Sequence, residues 1–485
     1  MSDRRLFIGG EWVAPSTDGV LDVVSPHTEQ LVASAAAAGQ ADVDRAVAAA
    51  RRAFDDGPWP RMAPAERIAA VRRLMALYKD RRKEMAQLIT DEMGSPISFS
   101  KFSQATLPML LMGAFADIAE TVPWEEQRPG AFGQDVLLRR EPMGVVAAIV
   151  PWNMPQFLLV GKLAPALLAG CTVVVKPSPE TPLDANLLAE IIEAADLPPG
   201  VVSILPAGRE VGAHLVTHPH VDKVSFTGST AVGREIAAAC GTALKRVSLE
   251  LGGKSAAVVL DDADPAAVAE GIKVAGLMNS GQACVAQTRV LVPRSRAEDF
   301  TEALASMVSG LVTGDPSDPA TEVGPLVSKR QQERVRGYIA SGQDEGARLV
   351  VGGEKMPSGM DRGWYVQPTL FADVDNRMQI AREEIFGPVL SVIAYDDEDD
   401  AVRIADDSDY GLSGSVWTAD DERGLGLARR IHTGSFGVNQ PYSMDPAAPF
   451  GGVKASGIGR EMGREGLDGY LELKSISVAT QRSLS

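Results

Sequence analysis

The sequence predicts an α/β protein that is built from two α/β domains and a small additional β element. Short Val- and Ile-rich segments alternate with amphipathic segments, which is typical of parallel sheets covered by helices. With 485 residues, the chain is longer than a single hydrophobic core usually supports. Two strand-like segments with charged flanks fit neither domain. These three observations together predict the fold class.

Five Val/Ile-rich segments predict the first series of strands, at 145–150, 172–175, 201–205, 223–226 and 256–260. The amphipathic segment 183–195 separates two of them, and Thr181 and Pro182 are its predicted cap and first helical residue. A strand, helix, strand unit of this kind favours a parallel sheet. The segments 41–54 and 63–93 have helical periodicity, and we expect them to cover this sheet.

Strands at 289–293 and 389–394, with helices at 295–311 and 329–339, predict the second α/β domain. The two remaining strand-like segments, 135–140 and 471–478, have the charged flanks of sheet edges. We expect them to pair between subunits.

Composition restricts the classes of partner and compartment. The formal net charge of −17 argues against nucleic acid or an anionic membrane as a partner, because phosphate binding requires clustered Lys and Arg. The long apolar region 144–176 is interrupted by prolines and polar residues, so we interpret it as buried core and not as a membrane helix. Without a signal-peptide pattern, and with three scattered cysteines, the sequence predicts a cytoplasmic protein without a disulfide framework.

The segment 224–233 reads as a strand, a tight turn and the start of a helix. Backbone N–H groups and the helix dipole at such a turn favour a phosphate, so Gly228 and Ser229 are candidates for cofactor binding. Thr230 occupies the place where the usual dinucleotide fingerprint has its middle glycine. Taken alone, the segment is more often a plain turn.

Two other patterns do not indicate a site. The segment 253–255 ends like a phosphate-binding P-loop, but Ser248 stands where that motif requires its first glycine. His214, His218 and His220 have metal-like spacing without an accompanying glutamate, so a solvated loop is the favoured interpretation. The sequence therefore predicts no metal site.

Cys284 is the candidate nucleophile. It lies between a helical segment and a strand, where a glycine and small neighbours leave a side chain accessible. Cys171 and Cys240 instead end apolar helices. A lone free cysteine is usually a small buried hydrophobe, so the local sequence around Cys284 does not decide between the two roles.

Seven short segments, which follow one another along the chain in the order of a known family, favour the role of nucleophile for Cys284. They are PWNMP (151–155), KPSPETP (176–182), FTGST (226–230), LELGGK (249–254), GQAC (281–284), EEIFGP (383–388) and PFGG (449–452). Together they resemble the aldehyde dehydrogenase superfamily over essentially the whole chain. The resemblance implies a Rossmann-like cofactor domain (1–121 and 142–252), a catalytic domain (253–455) and oligomerisation segments (122–141 and 456–485). It also implies a homo-oligomer, either a dimer or a tetramer.

The resemblance implies oxidation of an aldehyde to the carboxylic acid with NAD(P)+ and water. Cys284 would add to the aldehyde, giving a thiohemiacetal and then a thioester. Asn153 and the backbone N–H of Cys284 would stabilise the oxyanion. Glu250 would act as the general base that activates water, since its apolar, glycine-rich surroundings favour a raised pKa over the ordinary behaviour of a surface carboxylate.

The resemblance also implies the residues that bind the cofactor: Trp152, Lys176, Ser178, Gly228, Ser229, Glu384 and Phe386. Lys176 would hold the ribose on the adenine side, Ser229 the pyrophosphate and Glu384 the nicotinamide ribose, with Phe386 near the ring. Pro179 stands where many NAD-preferring relatives carry Glu. NAD is the expected cofactor, and NADP stays open.

The residues that would line the substrate tunnel are Met154, Gly161, Ala283, Val285, Met444 and Phe450. Their apolar and adaptable character predicts a medium-sized uncharged aliphatic, terpenoid or aromatic aldehyde. Two alternatives remain. A CoA-acylating relative typically lacks the base, so Glu250 argues against it. A binding protein that retains the fold without catalysis is the other.

Overall fold

The computed structural model describes residues 4–132, 135–441 and 445–477. The helices are α1 (Gln40–Asp55), α2 (Pro64–Met93), α3 (Ile97–Phe99), α4 (Thr106–Glu120), α5 (Pro155–Ala169), α6 (Leu183–Ala194), α7 (Arg209–Thr217), α8 (Thr230–Ala243), α9 (Pro265–Leu277), α10 (Ala297–Gly310), α11 (Lys329–Asp344), α12 (Gln379–Arg382), α13 (Glu398–Asp406), α14 (Asp421–Ala428) and α15 (Gly463–Asp468).

The strands are β1 (Leu6–Ile8), β2 (Glu11–Val13), β3 (Val20–Val24), β4 (Leu31–Ala36), β5 (Glu125–Pro129), β6 (Asp135–Pro142), β7 (Val145–Ile149), β8 (Thr172–Lys176), β9 (Val202–Ile204), β10 (Lys223–Thr227), β11 (Arg246–Glu250), β12 (Ala256–Val259), β13 (Arg289–Pro293), β14 (Arg348–Val351), β15 (Thr369–Ala372), β16 (Val389–Tyr395), β17 (Tyr410–Gly411), β18 (Gly414–Trp417), β19 (Gly437–Val438), β20 (Val453–Lys454), β21 (Gly457–Ile458) and β22 (Leu471–Ser477). Single turns of 3₁₀ or π helix lie at Trp59–Arg61, Ser100–Gln104, Met278–Gly281 and Arg294–Arg296.

The first sheet has the strand order β2-β1-β9-β8-β7-β10-β11-β21. Its five central strands, β9, β8, β7, β10 and β11, are parallel. The sequence predicts four of them and misses β11, because Arg246–Glu250 is not rich in Val and Ile. At the two ends of the sheet, β1 and β21 pair antiparallel. The prediction omitted these edge strands, because two- and three-residue strands carry almost no periodic signal. The α/β class itself is confirmed.

Helices cover both faces of this sheet because successive side chains of a strand point to opposite faces. On one face, Val145 and Ala147 of β7 pack in the cluster that contains Val43 and Val47 of α1. On the other face, neighbouring β7 residues pack with α2, α4 and α5. The stretch Ile97–Glu120 is long and apolar enough to cross a membrane by composition, but it packs in this second cluster.

The second sheet has the order β14-β15-β16-β13-β12-β18-β19 and is parallel apart from β14. The strand at 256–260, which we predicted with the first series, lies instead in this second sheet as β12, beside β13. The exact domain bounds stay a prediction.

The two strand-like segments outside these sheets, β6 and β22, pair antiparallel with each other inside one chain. The register runs from Leu471 opposite Pro142 to Ser477 opposite Val136, and β5 adds a third strand. We expected each of these strands to pair with a strand of another subunit. The structure corrects this expectation, because the two strands pair with each other in the same chain. A contact of this small sheet with another subunit stays a prediction, and Val478 lies outside the described residues.

The start of α6 differs from the expected cap. Thr181 is not the N-cap residue, because the helix begins one residue after Pro182. The first two backbone N–H groups, of Leu183 and Asp184, donate at 3.0 Å to the carboxylate of Glu92 on α2. A side chain from another helix therefore satisfies this helix end.

Candidate active site

A groove runs along the carboxyl ends of the parallel strands in the first sheet. Two adjoining cavities of about 450 and 490 Å³ form it, and they share Trp152, Thr227, Gly228, Ser229 and Arg330 among their lining residues. The carboxyl end of a parallel sheet is where open α/β folds bind ligands. Cys284 lines one cavity and Lys176 the other, so the groove joins two predicted parts of the site.

The turn between β10 and α8 has the predicted geometry. Ser229 caps α8, its Oγ accepting the N–H of Val232 at 3.4 Å. A Cβ on Gly228 would lie 2.4 Å from the ring of Phe226, so a larger residue cannot occupy this position without a shift. The N-terminus of a 14-residue helix thus opens onto the groove, an arrangement suited to phosphate.

Lys176 ends β8 and is almost fully buried. Burial lowers the pKa of its ammonium group to about 8, and the nearby carboxylate of Glu180 opposes that change. Ser178 is buried beside it in the same cavity wall. The structure therefore brings both predicted residues to one end of the groove.

Glu384 and Phe386 lie at the other end, with Trp152. The Glu384 carboxylate accepts the backbone N–H of Gly253 at 3.1 Å, and burial raises the pKa of this carboxyl to about 7. Phe386 has a left-handed backbone (φ 64°) and packs edge-on against Trp152, with ring centroids 5.3 Å apart. Arg334 donates to the Glu384 carbonyl at 2.7 Å, which fixes the segment from α11.

Cys284 is partly exposed in the groove, whereas Cys171 and Cys240 are buried. The pKa of the Cys284 thiol is raised to about 12, mainly by burial of the sulfur atom and in smaller part by the charges of Glu384 and Glu250. Both carboxylates thus lie within electrostatic range of the sulfur. In the free protein the thiol is protonated at neutral pH.

Asn153 is held in the same wall by partners that sequence reasoning did not identify. Its backbone carbonyl accepts from Gln104 Nε2 at 2.8 Å and from Asn279 Nδ2 at 2.9 Å. Its own Nδ2 donates to the carbonyl of Gln282, two residues before Cys284, at 3.0 Å. One hydrogen of that amide is therefore bound by the Cys284 loop, and the other has no acceptor within residues 4–132, 135–441 and 445–477.

The loop before Cys284 has a left-handed backbone at three consecutive residues: Asn279 (φ 52°), Ser280 (φ 59°) and Gly281 (φ 73°). Two consecutive non-glycine residues in this region are costly and mark functional sites more often than ordinary turns. A Cβ on Gly281 would lie 2.1 Å from the carbonyl oxygen of Gly387. Gly281 thus allows the Cys284 loop to approach the segment that carries Glu384.

Glu250 ends β11 and is buried, and neither carboxylate oxygen has a hydrogen-bond partner among the described residues. Burial raises the pKa of this carboxyl well above its usual range. Glu461 adds to the increase, while Lys162 and Arg460 oppose it. A Cβ on Gly451 would lie 2.6 Å from Glu250 Oε1, so the PFGG segment needs its glycine to admit the carboxylate.

A buried ion pair adjoins Glu250. Lys162 of α5 donates to Thr227 Oγ1 at 2.7 Å and to the carboxylate of Glu461, and both charged side chains are almost fully buried. The sequence interpretation treated Lys162 only as an interruption of an apolar region. The usable signal was that a lysine inside such a helix needs a charged partner.

The predicted tunnel residues that the structure describes are also buried. Met154, Ala283, Val285 and Phe450 share one apolar cluster with the groove residues Trp152 and Cys284. Gly161 lies on α5, where an added Cβ would contact Leu111 at 3.7 Å and Glu461 Oε2 at 3.8 Å. Met444 lies outside the described residues. Their role as a substrate passage stays a prediction.

The three histidines lie only in part in the expected solvated loop, which begins at His218 and in which His220 is exposed. His214 lies in the last turn of α7, and its Nε2 is 2.6 Å from Asp44 Oδ1. His218 follows that helix directly and is only partly exposed, with its ring 6.0 Å from that of His214. Over the ranges that the structure describes, no group of three His, Cys, Asp or Glu side chains is arranged to hold a metal ion.

Comparison with known proteins agrees with this geometry. Residues 12–476 match the model of the aldehyde dehydrogenase family. The chain is 47% identical to geranial dehydrogenase from Castellaniella defragrans, over 98% of both chains. It is 49% identical to an aldehyde dehydrogenase from Mycobacterium tuberculosis solved with NAD+, with full coverage of both chains and a TM-score of 0.97. A mutant of aldehyde dehydrogenase C from Pseudomonas syringae, solved with NAD+ and octanal, is 42% identical, with coverage of 98% and 96% and a TM-score of 0.94. The chain therefore belongs to the aldehyde dehydrogenase family.

Proposed function

We propose that this protein oxidises an apolar aldehyde to the carboxylic acid, with water as the source of oxygen and NAD+ as the hydride acceptor. The observation that carries the proposal is the groove, which connects a half-buried thiol at Cys284 to the lysine and helix terminus at its other end. NAD+, when bound, supplies a two-electron acceptor that no side chain can provide.

Cys284 forms the first bond. Its sulfur adds to the aldehyde carbon after the thiol proton leaves, and the resulting thiohemiacetal carries an oxyanion. The free N–H of the Asn153 amide and the backbone N–H of Cys284 are the donors that stabilise it. The hydrogen bond from Asn153 to Gln282 supports this role because it fixes the amide to the loop of the nucleophile.

Glu250 acts as the base. Loss of hydride converts the thiohemiacetal into a thioester, and Glu250 then removes a proton from water as its oxygen attacks the thioester carbon. The carboxylate also accepts the proton that leaves Cys284 in the first step, and it must release that proton to solvent before it can take a proton from water. Its raised pKa supports this role, because burial makes this carboxylate a stronger proton acceptor than an ordinary surface carboxylate.

The groove residues fit a nicotinamide dinucleotide. The N-terminus of α8 at Ser229 would receive a phosphate, and the buried Glu384 carboxylate would accept ribose hydroxyl groups. Lys176 would bind ribose hydroxyls at the other end. The relatives from M. tuberculosis and P. syringae, solved with NAD+, add support.

The substrate is a medium-sized uncharged aldehyde. The apolar cluster of Met154, Val285 and Phe450 beside Cys284 supports this choice, since burying a charged group against apolar side chains is unfavourable. The relative named geranial dehydrogenase and the relative solved with octanal point to the same class. We expect higher kcat/KM for octanal and geranial than for succinic semialdehyde or betaine aldehyde. A preference for either charged aldehyde would contradict this choice.

Glu250→Gln tests the mechanism and separates it from the two alternatives. With saturating octanal and NAD+, we expect this variant to form at most about one NADH per Cys284 and then stall, because the thioester is not hydrolysed. The first NADH should also form more slowly than in the wild type, because the acceptor of the Cys284 proton is lost. Cys284→Ser should form almost none. Glu235→Gln, which removes a carboxylate at the distant end of the groove, should turn over normally.

Continued turnover by Glu250→Gln would contradict the assigned base. Turnover that requires CoA would favour the acylating alternative. Wild-type protein that forms no NADH with any aldehyde would favour a binding protein that retains the fold.

A further inference from the structure

Glu180 is a carboxylate in the groove to which the proposed mechanism gives no role. It lines the 490 Å³ cavity near Lys176 and Ser178, at the end distant from Cys284. About a quarter of its side chain is exposed. A negative charge at this position affects whether this end of the groove can bind a ribose that carries a phosphate.

A tight turn directs the Glu180 side chain into the groove. The N–H of Thr181 donates to the carbonyl of Ser178 at 3.3 Å, which closes a four-residue turn with Pro179 in the second position. Proline favours that position because its ring fixes φ near the value that the turn requires. Glu180 therefore folds back on Ser178, whose hydroxyl donates to Glu180 Oε2 at 2.5 Å.

The same carboxylate engages the other groups that could attract a phosphate. Arg330 Nη2 lies 3.4 Å from Glu180 Oε1. The charge of Glu180 also favours the protonated form of Lys176, against the effect of burial. The hydroxyl, the guanidinium and the ammonium group around this end of the groove are thus already paired with, or partly neutralised by, one negative charge.

We propose that Glu180 selects NAD+ over NADP+, an inference that rests on the proposed binding of a dinucleotide in this groove. A carboxylate only accepts hydrogen bonds, so it matches the two hydroxyl groups of an unphosphorylated ribose. A 2′-phosphate brings negative charge beside a carboxylate that is already there. The carboxylate that Pro179 does not provide is supplied by the next residue along the turn.

The adenosine half of each cofactor tests this without any catalytic readout. Isothermal titration calorimetry would give the Kd of ADP and of 2′,5′-ADP for the wild-type protein and for Glu180→Gln. We expect the wild type to bind ADP at least tenfold more tightly. Removing one like charge at close range should strengthen 2′,5′-ADP binding by roughly tenfold in the variant. ADP binding should weaken, because a neutral amide accepts less strongly than a carboxylate.

Glu235→Gln is the matched control. Glu235 lines the same cavity, but its carboxylate pairs with Arg209 at 2.9 and 3.0 Å. We expect this variant to keep the wild-type ratio of the two dissociation constants. An unchanged ratio in Glu180→Gln, or an equal change in both variants, would overturn the role of Glu180. A wild-type protein that binds neither nucleotide would instead refute the proposed cofactor groove, and the inference with it.

Discussion

Replacing Asn153 by alanine should lower kcat strongly and the free energy of unfolding only slightly, because the side chain and the backbone of this residue have different partners. The bonds from Gln104 and Asn279 reach the backbone carbonyl and survive the substitution. Only the bond from Nδ2 to the Gln282 carbonyl, at 3.0 Å, is lost. One neutral hydrogen bond contributes about 1 kcal/mol, so the free energy of unfolding should fall by about 1–2 kcal/mol.

The loss of an oxyanion donor has a larger effect on the rate. We expect kcat to fall about 100- to 1000-fold, which corresponds to about 3–4 kcal/mol in the barrier. The assay is steady-state formation of NADH with octanal, together with thermal unfolding and the rate of Cys284 alkylation. Both the binding of ADP and the alkylation rate should stay near the wild-type values, because Asn153→Ala leaves the thiol and the distant end of the groove intact.

Asn376→Ala is the control for the loss of a buried amide. Asn376 lies in the turn after β15 and lines neither cavity of the groove. Its Oδ1 accepts from Arg289 at 2.9 Å, and its Nδ2 donates to the carbonyl of Asp407 at 2.9 Å. We expect this variant to lose at least as much stability as Asn153→Ala with little loss of kcat. If Asn153→Ala keeps more than a tenth of the wild-type kcat, or if both variants lose rate equally, the oxyanion role is refuted.

Three further predictions follow from buried charges. Alkylation of Cys284 by iodoacetamide in the cofactor-free protein should still accelerate above pH 9, because burial raises the pKa of this thiol to about 12; a plateau near pH 7 would contradict this. Lys162→Met should raise the pKa of Glu250 and move the acidic limb of the kcat profile to higher pH, since Lys162 opposes the increase caused by burial; an unmoved limb would refute the coupling. Burial raises the pKa of Asp184 to about 7, so the stability that this group contributes near pH 4 is lost as the pH rises through about 7. Between pH 5 and pH 8 the thermal midpoint should therefore decrease more in the wild type than in Asp184→Asn, and equal pH dependence would contradict the assignment.

The fold was predictable where the residues of a single strand or helix have a clear hydrophobic pattern of their own. The segment 289–293 was predicted as a strand, and β13 has the same bounds. Four of its five side chains are apolar, and the strand is buried in the middle of the second sheet, so the apolar run marks the whole strand. The antiparallel edges of the first sheet were not predictable in this way. The pairing of Phe7 with Ile204 depends on the tertiary fold, as does the capping of α6 by Glu92.

The candidate site was predictable to the extent that its residues lie in the seven matching segments. Gln104, Lys162 and Glu461 lie outside those segments, and the sequence interpretation assigned them no role. Lys162 and Glu461 are 299 positions apart, so no local pattern connects them. Glu180 lies inside a matching segment, but the sequence alone assigns it no role, because the direction of its side chain depends on the turn geometry.

The charges around Cys284 determine how its reaction has to begin. The two carboxylates that suit the base and the ribose contact also raise the pKa of the thiol, so the resting protein holds very little thiolate. A buried carboxyl with a raised pKa is a poor partner for a second negative charge but a good acceptor for a proton. Attack by sulfur and proton transfer to Glu250 are therefore expected to be coupled, since separate formation of the thiolate would leave two like charges in one buried site. The negative charge then appears first on the aldehyde oxygen, where the amide of Asn153 is placed to stabilise it.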